Sequence, residues 1–288
     1  MNTTSTAPFE PLRRLLRFPP IQIAVMYFSL MFVHLAGIVF MQTFGQSPIT
    51  RLASAIPIVA NLLLVYCSLT YWLERRALQE LALAKLGREL LIGLLLGFGL
   101  HSLCVLIAAL LGVYQFGGLD SWSNLMPSAA AFSVPLFEEL AFRGAIFLVL
   151  ERVLGSWLAL AISSLIFGLV HLANAGESFA GIASIVLIFG PMLAAPLMLT
   201  RCLWMGIGLH MAWNYTMGKV FSGAISGGEP AAGLFKITVQ GPEYLTGGSA
   251  GMEGSWIAMI VCLLATLAML SLTVRRGLIQ PPSWRRQD

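Results

Sequence analysis

Charge is what this sequence has least of: Asp, Glu, Lys and Arg make up 10% of its 288 residues, against roughly 25% in a soluble domain. With 58% of residues hydrophobic, a water-soluble fold could not cover its own apolar surface. Cysteine is scarce and unpaired. Cys67, Cys104, Cys202 and Cys262 each stand alone in a different apolar run, with no CxxC pair and no metal-ligand spacing, and read as small lipid- or core-facing residues. HExxH is absent, and no internal repeat marks a transporter of duplicated halves. The net charge of +4 implies no nucleic acid, because basic residues in such a chain mostly mark cytoplasmic loops.

What the sequence has in quantity is long apolar runs. A membrane span needs ~20 mostly apolar residues, and only helices or closed barrels satisfy their backbone hydrogen bonds in lipid. The runs predict spans at about 21–44, 53–73, 90–114, 128–150, 154–173, 179–200, 202–220 and 255–274. The expected fold is all-α, a polytopic membrane bundle of about eight transmembrane helices over 21–274, with a catalytic-type core at 128–220. The first run is too long for a signal-peptide core and shows no convincing cleavage site, so it is expected to stay as the first span. Alternate connections hold 13 of the 17 Lys and Arg, while Arg51, Lys219 and Lys236 lie on the other side. The positive-inside rule then puts both tails, 1–20 and 275–288, in the cytoplasm of a cell-membrane protein. The stretch Glu74–Glu89, periodic with a basic face, is expected to lie as a short helix on the cytoplasmic surface. Ser222–Gly254 is Gly-rich and long for a structureless loop, so it is expected to be disordered or to form a lid.

Ionisable side chains at mid-bilayer cost about 2.5–3.5 kcal/mol on insertion scales and are candidates for function. The fourth span carries Glu138, Glu139 and Arg143 in PLFEELAFRGAIF. The fifth ends in FGLVHLAN, with His171 one turn after Phe167, and the seventh holds His210 and Asn214 one turn apart in LHMAWNY. Residues four apart share a helix face, so Glu139 is expected to pair with Arg143, which leaves Glu138 pointing to another helix. These polar stripes predict that the fourth, fifth and seventh spans pack around a shared cavity. His34 and His101, alone on other spans, read as structural, and Tyr71, Trp72, Trp256 and Trp284 as interfacial anchors. Phe167 reads as packing that orients His171.

The chemistry this set could support is hydrolysis. A carboxylate and an imidazole with one water between them can take its proton during attack on a carbonyl. Asn and a second His can donate hydrogen bonds to the oxyanion that forms, and a Glu139–Arg143 pair would brace the helix. Histidine and asparagine on neighbouring helices can also serve as interhelical hydrogen-bonding glue, so the residues alone do not select a protease.

EELAFR, FGLVH and HMAWN, in that order on separate spans, resemble the EExxxR, FxxxH and HxxxN motifs of the CPBP family. That family groups type II CAAX prenyl endopeptidases with bacteriocin-processing and immunity proteins, also called Abi. The resemblance covers about Phe132 to Tyr215. It implies an intramembrane endopeptidase in which Glu138 and His171 activate water, His210 and Asn214 hold the oxyanion, and Glu139 and Arg143 support the first motif. The implied partners are a peptide or lipidated-peptide substrate and the lipid bilayer. A glutamate mechanism without a cofactor is expected, while Glu138, His171 and His210 would be the ligands of a Zn site. A non-catalytic immunity or peptide-binding protein, and a proton-coupled transporter, are the competing readings. The fifth span runs outward, so the cavity is expected to open away from the cytoplasm, where CAAX tails lie.

Overall fold

The computed structural model describes residues 10–45, 47–174 and 176–285. Of the two expected tails, residues 1–9 and 286–288 lie outside the described residues. Among the described residues, six segments are long and apolar enough to cross a membrane: Pro19–Phe44, Pro48–Glu74, Leu83–Leu110, Trp122–Ala173, Phe179–Thr200 and Gly248–Arg275. The fourth of these has 52 residues, about twice what one crossing of a ~30 Å core takes at ~1.5 Å per residue. Gly155 interrupts it at φ 76° and ψ 170°, backbone angles that glycine adopts without penalty, and the chain doubles back there. The backbone of 204–220 forms a further apolar helix, the most enclosed in the bundle. The helices are α1 (Pro19–Phe44), α2 (Ala55–Glu74), α3 (Leu83–Leu110), α4 (130–154), α5 (156–170), α6 (179–200), α7 (204–220) and α8 (Trp256–Arg275). The protein is a multi-pass membrane bundle.

Exposure separates the wall from the centre. α1, α2, α3 and α8 turn Phe28, Phe32, Leu64, Leu95, Phe98 and Leu264 outward, an apolar surface suited to lipid. Every residue from Trp204 to His210 is buried. With no hydrophobic force to drive helices together in lipid, small residues set their closest approach. α3 and α7 meet backbone to backbone at Gly93, Gly97 and Gly208. A Cβ on Gly93 would stand 2.2 Å from the Met205 carbonyl oxygen, one on Gly97 2.2 Å from that of Leu209, and one on Gly208 2.5 Å from that of Leu90. This contact seats α7, and with it His210, at the middle of the bundle.

The 74–89 stretch departs from the sequence expectation, and the 222–254 stretch takes the second of the two forms expected for it. The 74–89 stretch is not a separate surface helix: α2 runs to Glu74, a short turn covers Gln79–Leu81, and Leu83 already begins α3. Its charges are instead drawn into ion pairs at that end of the bundle. Arg76 contacts Glu74 and Glu80, Arg152 contacts Glu74, and Arg201 holds Glu151 through two bonds of 2.9 and 2.6 Å. Ser222–Gly254 is folded. It contains strand β2 (Phe235–Val239), which pairs antiparallel with β1 (Tyr114–Leu119), then a helical turn at Glu243–Thr246 and a 3-10 segment at Gly248–Gly254. It lies across one end of the bundle, with Asn174 donating to the Ser226 carbonyl and Ser184 to that of Glu253.

Candidate active site

α4 begins as an α-helix over Ala130–Glu138 and continues as a π-helix over Glu139–Phe147. Hydrogen bonds from i to i+5 put more residues into each turn, and such segments are frequent at functional sites. Successive side chains are then separated by less than the ~100° of an α-helix. The two neighbouring glutamates therefore reach the same imidazole. Glu139 Oε1 is 3.0 Å from His210 Nδ1, and Glu138 Oε2 is 3.5 Å from His210 Nε2. Glu138 thus points to another helix, as expected, and the helix is α7, which its neighbour Glu139 also reaches. Glu139 is fully buried and Glu138 is slightly exposed. Gly206 on α7 gives the Glu139 carboxylate its room, since a Cβ there would stand 3.2 Å from Oε2.

Arg143 sits one turn after Glu139, its Nη1 3.3 Å from Glu139 Oε1. It also donates from Nη2 to the Gly190 carbonyl of α6 at 3.2 Å, and its guanidinium lies 4.2 Å over the Phe167 ring, a cation–π contact. Phe167 in turn packs edge-on to His171 at 4.7 Å and faces His210 at 6.5 Å. One aromatic ring thus spaces the arginine and both histidines. His171 Nδ1 lies 2.7 Å from the Phe167 carbonyl oxygen. A carbonyl can only accept, so Nδ1 carries the hydrogen, and in the neutral ring the lone pair is on Nε2.

His171 and His210 line an enclosed cavity of about 20 Å³, together with Phe167, Trp213, Ser226 and Glu253. That volume holds about one water. The carboxylate of Glu138 and the amide of Asn214 are outside its lining. Asn214 lies one turn beyond His210 on α7, half-buried. The structure therefore brings Glu138, Glu139, Arg143, Phe167, His171 and His210 together, with Asn214 beside them. A far larger groove of about 900 Å³ runs between α1 and α2, but apolar side chains such as Phe28, Phe32 and Leu64 dominate its walls, and it offers no ionisable group. Among the described residues no three His, Cys, Asp or Glu side chains come together as a metal-ligand set. His210 explains this in part, since each of its ring nitrogens already faces a carboxylate.

Three neighbours of the site come from outside the motifs. His34 of α1 stacks on Phe137 with ring centroids 4.5 Å apart, close enough for the Glu138 carboxylate to act on it electrostatically, as it does on Tyr27. Glu253, at the foot of α8, accepts from Trp213 Nε1 at 3.1 Å and from the backbone and hydroxyl of Ser226 at 2.9 and 3.2 Å. Glu177, in the turn after α5, has both carboxylate oxygens buried without a hydrogen-bond partner among the described residues. Burial first, and the nearby Glu253 carboxylate second, push its pKa up to about 7. The sequence signal for Glu253 was weak: a single carboxylate in a glycine-rich stretch, two residues before the last apolar run.

Comparison with known proteins finds a match over part of the chain. Residues 120–216 match the family model described as type II CAAX prenyl endopeptidase Rce1-like, a segment that contains every residue of the α4, α5 and α7 cluster. Neither the curated proteins nor the solved structures include a match to the chain. Through this segment, about a third of its length, the chain is similar to the Rce1-like type II CAAX prenyl endopeptidase family.

Proposed function

We propose that the chain is an intramembrane endopeptidase that hydrolyses a peptide bond of a membrane-associated substrate, with water activated by Glu138 and His171. The observation that carries this reading is the tautomer of His171: its Nδ1–H is committed to the Phe167 carbonyl, which leaves Nε2 as a proton acceptor at a cavity of about 20 Å³ shared with His210. Glu138 adds a second base within reach of His210. His210 would give the oxyanion a hydrogen bond from Nε2. Its Nδ1 is committed to Glu139, so the donating form is the imidazolium, balanced by the two carboxylates beside it. Asn214 supplies the second oxyanion donor. Glu139 and Arg143 hold His210 and the helix in register.

No metal enters this scheme. The reading favours a glutamate mechanism because a carboxylate and an imidazole, Glu138 and His171, can take the proton of the attacking water without a metal. The substrate is read as a peptide presented at the face of the 222–254 segment. Arg76, Arg152 and Arg201 cluster at the other end of the bundle, so the positive-inside rule makes the cavity end non-cytoplasmic, away from cytoplasmic CAAX tails.

The test is cleavage of a prenylated CAAX peptide and a panel of hydrophobic peptides by the purified protein. Glu138→Gln and His171→Ala are each expected to lower kcat at least about 10²-fold, the scale of lost general base catalysis, without loss of folding, and a chelator is expected to change nothing. A Glu138→Gln protein with wild-type kcat would overturn the assignment. A second reading, a membrane immunity or peptide-binding protein that does not cut, draws support from the cavity itself, which at about 20 Å³ admits water and excludes a peptide. Peptide binding that survives Glu138→Gln, with no cleavage by wild type, would favour it.

A further inference from the structure

Glu253 belongs to none of the motifs, yet its carboxylate joins two residues that line the cavity. Its backbone is held from two helices: the Ser184 hydroxyl of α6 donates to the Glu253 carbonyl at 2.7 Å, and Ser255, two residues on, caps α8 through the Ala258 amide. Its carboxylate is fully committed. Oε1 takes the Trp213 indole hydrogen from α7, and Oε2 takes both the amide and the hydroxyl of Ser226 from the folded segment over the bundle end. All three donors belong to Trp213 and Ser226, which line the His171–His210 cavity, as Glu253 itself does.

A buried carboxylate is expensive to keep unless paired or hydrogen-bonded, and an apolar wall could close the same space without one. What the carboxylate adds is direction. Charge-assisted bonds of this kind are stronger than neutral ones, and here they fix the indole of α7 and the Ser226 turn relative to each other. Trp213 lies three residues after His210, so fixing its ring also fixes the face of α7 that carries His210. Ser226 has a left-handed backbone, φ 46°, which for a non-glycine residue is uncommon and persists where its surroundings hold it.

We propose that Glu253 is a positioning residue of the reaction: it pins the 222–254 segment to α7 at Trp213, closes the non-motif wall of the cavity, and so keeps one water against His171 and His210. The kinetic part of this proposal rests on the protease reading; the pinning does not.

The experiment uses the full chain, purified in lipid nanodiscs, with two readouts: amide hydrogen exchange in the peptide that contains Ser226, and kcat and KM for a peptide that wild type cleaves. Glu253→Gln keeps the size of the side chain but cannot accept from both Trp213 and the Ser226 amide. It is expected to raise exchange at Ser226 at least tenfold and to lower kcat at least tenfold, with KM within threefold. Ser226→Ala, which leaves the backbone bond in place, is expected to change both by less than threefold. Wild-type exchange at Ser226 in Glu253→Gln overturns the pinning. Raised exchange with unchanged kcat overturns the positioning role, since Glu253 is then only a structural brace. Should Glu253→Gln fail to fold, Trp213→Phe removes a single donor and carries the same test, with threefold effects expected on both readouts and no effect on either overturning the proposal. If wild type cleaves nothing, the protease reading fails by itself, and the exchange result alone decides whether Glu253 pins the segment.

Discussion

At the scale of single residues, the decisive feature is how many buried charges share one small volume. Glu139 and Arg143 are both almost wholly buried and 3.3 Å apart, and Glu139 also holds His210. A buried ion pair is weak evidence for stability, but breaking one by removing a single partner is strongly destabilising, by about 3–5 kcal/mol. Arg143→Ala is therefore expected to lower the detergent melting temperature sharply, because it strands the Glu139 carboxylate and also empties the seat over Phe167. The double variant Glu139→Leu, Arg143→Met replaces the pair with apolar groups of similar size. It is expected to recover most of the melting temperature and none of the activity, because His210 loses its tether. Recovery of both would make the pair a packing element alone. The spacing of four residues was enough to find this pair in the sequence. What the sequence hid was the convergence of Glu138 and Glu139 on His210, because the argument from spacing assumed α-helical winding, and the chain runs as a π-helix from Glu139 to Phe147. Glu253 was hidden for a different reason: nothing local tells a carboxylate in a polar loop that its three donors are Trp213 and Ser226.

At the scale of elements, long helices were legible, and so was the meeting of α4, α5 and α7, but the other partners were not. Apolar runs and the scarcity of charge suffice to place helices in lipid, but which helix packs on which depends on small residues whose role appears only in contact. Gly93, Gly97 and Gly99 lie on the same helix, and their environments differ. A Cβ on Gly97 would meet the Leu209 carbonyl oxygen at 2.2 Å, whereas one on Gly99 would meet nothing within 4 Å. Gly97→Ala must push α3 from α7, and is expected to cost ~1–3 kcal/mol, the usual scale of overpacking, and to reduce activity by displacing His210. Gly99→Ala is expected to be neutral, or to stabilise by up to ~1 kcal/mol through helix propensity. Thermal unfolding of the two variants in the same detergent checks the contrast, and equal melting temperatures would remove the α3–α7 contact as the reason for glycine. The Ser222–Gly254 segment was left between disorder and a lid by the same limitation in reverse. Its glycines looked like a sign of disorder, but Gly227, Gly247, Gly248 and Gly251 occupy positive-φ turns that let the chain fold tightly. The partner of β2 is β1, with Tyr114 opposite Val239 and Phe116 opposite Ile237, and a pairing that distant leaves no periodic signal within either stretch.

At the scale of the whole molecule, the bundle has two unlike ends, and the candidate site lies at one of them. One end is laced by Arg76, Arg152 and Arg201 with their glutamates. At the other, Ser226 and Glu253 close the cavity that His171 and His210 line. Since basic loops are retained on the cytoplasmic side, the covered end should face outward, and a substrate would have to arrive there or sideways from the bilayer. In a background with Cys67, Cys104, Cys202 and Cys262 replaced by serine, single cysteines at Gly117 and at Gly277 report the two ends. Both positions have room for a side chain, with no atom closer than 3.5 Å to the added Cβ, and a cysteine at Gly277, where φ is 66°, carries about 1–2 kcal/mol of backbone strain. A membrane-impermeant maleimide applied to intact cells is expected to label Gly117→Cys and to leave Gly277→Cys unlabelled until the cells are opened. The reverse pattern would turn the molecule over and put the cavity on the cytoplasmic side. It would also return a prenylated cytoplasmic tail to the head of the list of substrates, with Glu253 and the 222–254 segment then standing between that tail and His171.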